Sequence, residues 1–144
     1  MSIACTCKIT SKLFNFLNHL EPLWWVLLRV WIALVFFKSG LTKIEDFETT
    51  IMLFEEEYQV PMLSPYFAAL SATFFELVMP VALVLGLATR FAAIPLLIMT
   101  VVIQFTYMDH VQHYYWGIVL LGLILHGGGK LSADYLIERK YGGK

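Results

Sequence analysis

Residues 66–90, YFAALSATFFELVMPVALVLGLATR, limit what the chain can become more than any other stretch. They are apolar over the ~20 residues a helix needs to cross ~30 Å of hydrocarbon, yet they hold a carboxylate, Glu76, near their middle. A charge at that depth costs ~2.5–3.5 kcal/mol even on the mildest scales, so it must be paired or put to use. Pro80, four residues on, has no N–H to offer the Glu76 carbonyl. The segment's most polar side chain and its one missing backbone bond therefore coincide. Two readings are open: a site, or a kinked helix with a paired acid.

Similar apolar runs occupy 24–44, 91–108 and 112–127. The expectation is an all-α fold: a transmembrane four-helix bundle forming a single integral membrane domain over 1–144, with spans at about 24–44, 66–88, 91–108 and 112–127. An apolar content of 59 % against 15 % charged residues puts the chain in the membrane class. A net charge of −1 gives no reason to expect nucleic acid and leaves the lipid bilayer as the surrounding medium. Cys5 and Cys7 precede the first span, one residue apart, which suggests no disulfide framework; they read as a metal-binding pair or as incidental thiols. No cleavable signal peptide is evident, so the first span is expected to serve as an uncleaved anchor.

Between the runs the chain is amphipathic or polar. Residues 8–20 place Leu13, Phe16, Leu17 and Leu20 opposite Lys8, Lys12 and Asn15, predicting a short interfacial helix that ends where Pro22 restarts the chain. Trp24 and Trp25 then fall in the aromatic belt. The first external loop carries Glu45, Asp46, Glu48, Glu55, Glu56 and Glu57, and its middle can form a second amphipathic helix. Gly127, Gly128 and Gly129 stop the fourth run, and Ser132 is placed to cap a last short helix. Lys8, Lys12, Arg90, Lys130, Arg139, Lys140 and Lys144 share one side, while the other has Lys43 at most and the acids above with Asp109. The positive-inside rule then predicts a multi-pass protein with both termini cytoplasmic.

With the spans placed, several residues resemble a known family together. Arg29 opens the first span and Gly40-x-x-Lys43 closes it; Glu76 sits in the second, 86–90 (GLATR) makes the next turn, and 128–134 (GGKLSAD) follows the fourth. The chain is similar over about residues 25–135 to the DoxX family of small four-helix bacterial inner-membrane proteins. The resemblance implies a bacterial inner-membrane location and a quinone- or redox-associated subunit of a membrane oxidoreductase system, with quinone as the implied cofactor. The alternative is a non-catalytic accessory or assembly subunit of a membrane complex; either role implies a membrane protein partner or a homo-oligomer. Lys38 and the His110/His113 pair stand outside the family pattern, and no reaction follows from any residue alone.

Helical phase selects the candidate site. At ~100° per residue, Ala33, Phe36, Gly40 and Lys43 fall within about 40° of Arg29, and Lys38 falls about 180° away. Lys38 reads as a lysine reaching for the interface or a partner chain, or as a catalytic amine. Ala69, Ala72, Thr73, Pro80 and Leu83 share the face of Glu76. A depth reckoning brings the Lys43 ammonium to ~22 Å from the cytoplasmic end, against ~21 Å for Glu76, which predicts an ion pair with Arg29 on the same inward face. Gln104, with Thr100 and Tyr107, could meet a quinone carbonyl or a neighbouring helix. The candidate polar site is thus Arg29, Lys43, Glu76 and Gln104, beside the helix-kink residue Pro80. Asp109, His110 and His113 form a weak metal-ligand string, and no metal is expected. His126 lies ~20 Å along the last span from His113, so no haem is expected either, nor an iron–sulfur cluster.

Overall fold

The computed structural model of the protein describes residues 3–60, 62–107 and 110–142, the side chains of 3–11 and 13 excepted. All regular structure among them is helical. Helix α1 (Ile3–Glu45) leads into α2 (Phe47–Leu53), a π-helical turn (Phe54–Tyr58), α3 (Pro65–Leu85), α4 (Thr89–Thr106), α5 (Val111–His126) and α6 (Ala133–Tyr141).

One expectation needs correction. The separate interfacial helix over 8–20 does not exist: α1 is one 43-residue helix that runs through Pro22. A proline inside a helix forfeits one backbone bond and adds a local clash, and here long helical stretches on both sides carry the chain past it. Cys5, Cys7 and Lys8 lie in this first stretch, and their side chains are outside the described residues, as are Asp109 and Lys144 altogether. Among the described residues three helices are long and apolar enough to cross a membrane: α1 over Phe14–Glu45, α3 and α4. Helix α5 has 16 residues, which rise ~24 Å, short of a ~30 Å hydrocarbon layer.

Helices α1 and α3 pack along each other, α4 packs along α5, and α3 meets α4. The core gathers Ile32, Ala33 and Phe36 of α1, Leu83 of α3, Ala92, Ala93 and Leu96 of α4, and Leu120 and Leu123 of α5. Alanines at the crossings let the backbones approach. Large apolar side chains such as Trp31, Leu34, Phe74, Val81, Ile118 and Leu125 point outward, the reverse of a water-soluble bundle. The segment between α1 and α3 folds back over the bundle, where Phe54 packs with Ala68, Ala69 and Ala72 of α3, joined by Tyr58 and Met99.

Each helix end has a local cause. The Asp46 carboxylate caps α2, accepting from the Thr49 N–H at 3.0 Å and the Thr49 hydroxyl at 2.6 Å. Those two bonds, the side-chain one first, hold the exposed Asp46 carboxyl below its ordinary pKa. Pro65 starts α3, where its missing N–H costs nothing, and Gly86 ends it with φ +68°. Ser132 caps α6 by accepting from the Tyr135 N–H at 3.2 Å.

Candidate functional site

The residues singled out in the sequence separate into three places. Near the C-terminal end of α1, the Lys43 ammonium donates to Glu76 Oε2 at 2.7 Å and to the Ser39 hydroxyl at 2.7 Å. The two charged side chains are 13 % and 5 % exposed, so the pair is desolvated, and neither charge is tolerable there without the other. The pair can form because Gly40 brings α1 against α3: a Cβ at residue 40 would stand 2.9 Å from Leu77 Cγ and 3.1 Å from Glu76 Cβ. Pro80 is buried inside α3, which continues unbroken past it.

This pair forms part of the wall of a cavity of about 310 Å³ between α3 and α4. Phe54, Tyr58 and Val60 roof it, Ala68, Ala72 and Phe75 line one side, and Pro95, Met99 and Val102 line the other. Ile98, also in its wall, is 57 % exposed, so the cavity faces the lipid side of the α3–α4 seam. Few of its lining residues are polar: Lys43, Tyr58, Ser71, Glu76 and Thr106. Burial first, then the Tyr107, Glu57 and Glu76 side chains, push the Tyr58 hydroxyl above its ordinary pKa, which keeps it a neutral O–H donor. An inner cavity of about 80 Å³ touches Glu76 from the core side, between Ser39, Thr100 and Trp116.

Arg29 lies elsewhere. Its buried guanidinium donates to the Gly128 carbonyl at 2.6 Å and the Leu131 carbonyl at 2.9 Å, in the loop that follows α5. There the Asp134 carboxylate accepts from the Ala88 and Thr89 N–H groups at 2.6 and 2.9 Å, capping α4. The Asp134 N–H donates to the Gly86 carbonyl at 2.9 Å. Residue 86 is glycine for two reasons: its positive φ, and the Arg29 Nη1 2.7 Å from where a Cβ would stand. Arg29, 86–90 and 128–134 thus form one clasp, on the same face of α1 as Lys43 but ~21 Å back along the helix.

Gln104 occupies a third place, with its Oε1 2.8 Å from His113 Nδ1 across the α4–α5 connection. It meets a neighbouring helix. His113 in turn lies beside Trp116, ring centroids 5.1 Å apart. His126 stacks on Trp25 at 4.1 Å, at the other end of α5. Among the described residues no three metal-ligating side chains converge. Sequence reasoning missed Ser39 and Tyr58, and it had Asp134 only as part of the 128–134 motif, without its capping role. A serine one turn before Lys43 on the same helix face was a readable signal for the first, and the other two act across loops that carry no periodicity.

A bundle with an apolar exterior and a desolvated Lys–Glu pair inside defines a small helical membrane protein. The chain belongs to the DoxX family, whose family model matches residues 24–109, well over half its length. That range holds Arg29, Gly40, Lys43, Glu76 and the 86–90 turn, while the 128–134 segment lies beyond it. No curated protein and no solved structure gives a significant match.

Proposed function

We propose that the chain is a quinone-associated subunit of a bacterial inner-membrane redox system. The observation that carries this reading is the apolar cavity between α3 and α4 with one charged pair in its wall. Its 310 Å³ sits at the lower end of the ~300–1,000 Å³ usual for ligand sites, the size of a ring-like headgroup rather than a whole lipid. The seam toward Ile98 leaves a hydrocarbon tail in the bilayer. The Lys43 ammonium spends two of its three donors on Glu76 and Ser39, and the third suits a quinone carbonyl. The Tyr58 hydroxyl supplies a second donor from the roof. A quinone, when bound, would supply the electron-carrying chemistry; Lys43 and Tyr58 would hold and orient it, and the apolar wall would exclude water.

In this reading α5 completes a four-helix transmembrane bundle, its shortness met by local thinning and by the aromatic residues Tyr114, Tyr115 and Trp116. Both termini lie in the cytoplasm. A reporter fused at Glu56 and another after Tyr141 are expected on opposite sides, and the same side for both would sink this topology.

An accessory role is favoured by one specific fact: Arg29, Lys43 and Glu76 all make helix-to-helix or helix-to-loop bonds in the chain itself. Titration of the purified protein with a short-chain quinone, followed by tryptophan quenching, separates the two. Saturable quenching that Ala72→Trp abolishes by filling the cavity supports the ligand site. Quenching unaffected by that filling leaves only the accessory role.

A further inference from the structure

The face of α1 turned away from its own bundle carries a charge. Lys38 is exposed, on the far side of α1 from Arg29 and within Phe14–Glu45, the 32-residue stretch of α1 that contains a membrane-crossing apolar window. It stands seven residues before the end of α1, ~10 Å at helical rise. Helical side chains lean toward the N-terminus, so its ammonium is carried toward the midplane and away from the nearer interface. Among the described residues the one ion pair is Lys43–Glu76, so Lys38 has no carboxylate of its own chain. Charged groups within spans otherwise face the bundle interior and are paired. An outward-facing one marks an interface whose other half is missing.

The residues around it fit that interpretation. Trp24, Leu27, Trp31, Leu34, Lys38 and Leu41 follow one another at alternating intervals of three and four and are all exposed. That spacing makes the straight seam along which a second helix packs. Over the N-terminal half of the seam, Trp24, Leu27 and Trp31 also form one wall of a shallow groove of about 780 Å³, opposite Tyr115 and Val119 of α5.

We propose that this seam docks a transmembrane helix of a different membrane protein, which brings an aspartate or glutamate to the level of Lys38. A second copy of this chain is a poor occupant: two copies inserted the same way and related by a two-fold axis would set Lys38 against Lys38 at equal depth. A lipid phosphate is a poorer one, because reaching it requires the side chain to bend back against its lean. The proposal is independent of the quinone reading, since the cavity lies between α3 and α4.

The test places a photo-reactive phenylalanine analogue at Leu34, one turn from Lys38, in the full-length protein in membranes of its own host. The expected adduct joins a transmembrane segment of another protein that has an acidic residue within a turn of the cross-linked position. Lys38→Met and Lys38→Glu should lower adduct yield about tenfold, the scale of a buried polar contact between membrane helices. Lys38→Arg should retain it, and lysine in place of the partner's acid should restore it in Lys38→Glu. A thermal scan of the purified variants, expected to match the parent, separates lost docking from lost folding. An adduct between two copies of this chain, no adduct, or one undiminished in a folded Lys38→Met protein overturns the proposal.

Discussion

Separating Lys43 from Glu76 should reveal how much this end of the bundle depends on one contact. At 2.7 Å, with 13 % and 5 % side-chain exposure, the pair sits in the regime where removing one member strands the other charge, at ~3–5 kcal/mol. The two losses should differ. Lys43→Met leaves a carboxylate on a short, nearly sealed side chain, whereas Glu76→Leu leaves an ammonium on a long stem that can bend toward the interface. Lys43→Met is therefore the worse variant. At ~2–4 °C per kcal/mol for a chain of this size, it should lower the thermal midpoint in detergent by ~6–20 °C, scanned at one fixed rate. The double variant removes both charges and should recover most of the loss, because a buried pair replaced by apolar groups of similar size is near neutral. Losses that add to within ~0.5 kcal/mol would refute the coupling and the reasoning behind it.

Three further outcomes follow from the geometry. Gly40→Ala gains ~1 kcal/mol of helix propensity but drives a Cβ to 3.1 Å from Glu76 Cβ, and overpacking of ~1–3 kcal/mol should win; a raised thermal midpoint would contradict this. Arg29→Met removes two charge-assisted bonds of ~1.5–3 kcal/mol each, so limited trypsin digestion should cut at Lys130 faster than in the parent; unchanged cleavage would mean that the clasp holds without Arg29. Asp46 has a folded pKa below its unfolded one, so its contribution is present above the ordinary carboxylate pKa of ~3.9 and is lost as pH falls through the lower folded value. Asp46→Asn should flatten acid destabilisation in that window, and identical acid profiles would show that the cap does not matter.

Much of this molecule was legible because membrane helices obey simple periodicities. Length and apolarity located the helices, and rise per residue with side-chain lean located Lys43 opposite Glu76. The same arithmetic could not find the partners of Arg29, which are backbone carbonyls 99 and 102 positions away in a glycine-rich loop. A carbonyl has no letter in the sequence. Gln104 was legible as polar and helix-facing, but its choice of His113 depends on a turn whose path the pattern does not specify. The roof over the cavity was hidden for a related reason: Phe54 and Tyr58 sit in a π-helical turn, where neither a 3.6-residue nor a 2-residue period applies. Pro22 misled because a proline reads as a boundary, while a helix this long tolerates it.

The clasp of Arg29, 86–90 and 128–134 imposes an order of events on the ribosome. The backbone donors at the start of α4 receive their cap from Asp134, which is polymerised 45 residues after Thr89. At ~5–20 residues per second the α3–α4 hairpin waits about 2–9 s for it, and Arg29 waits still longer for the carbonyl of Gly128. Through that interval α1, α3 and α4 lack these bonds and can slide past one another before the segment after α5 locks their register. A nascent chain stalled before residue 128 should therefore present a looser, protease-sensitive bundle, and whatever assembles with this protein early in its life meets it in that unlatched form.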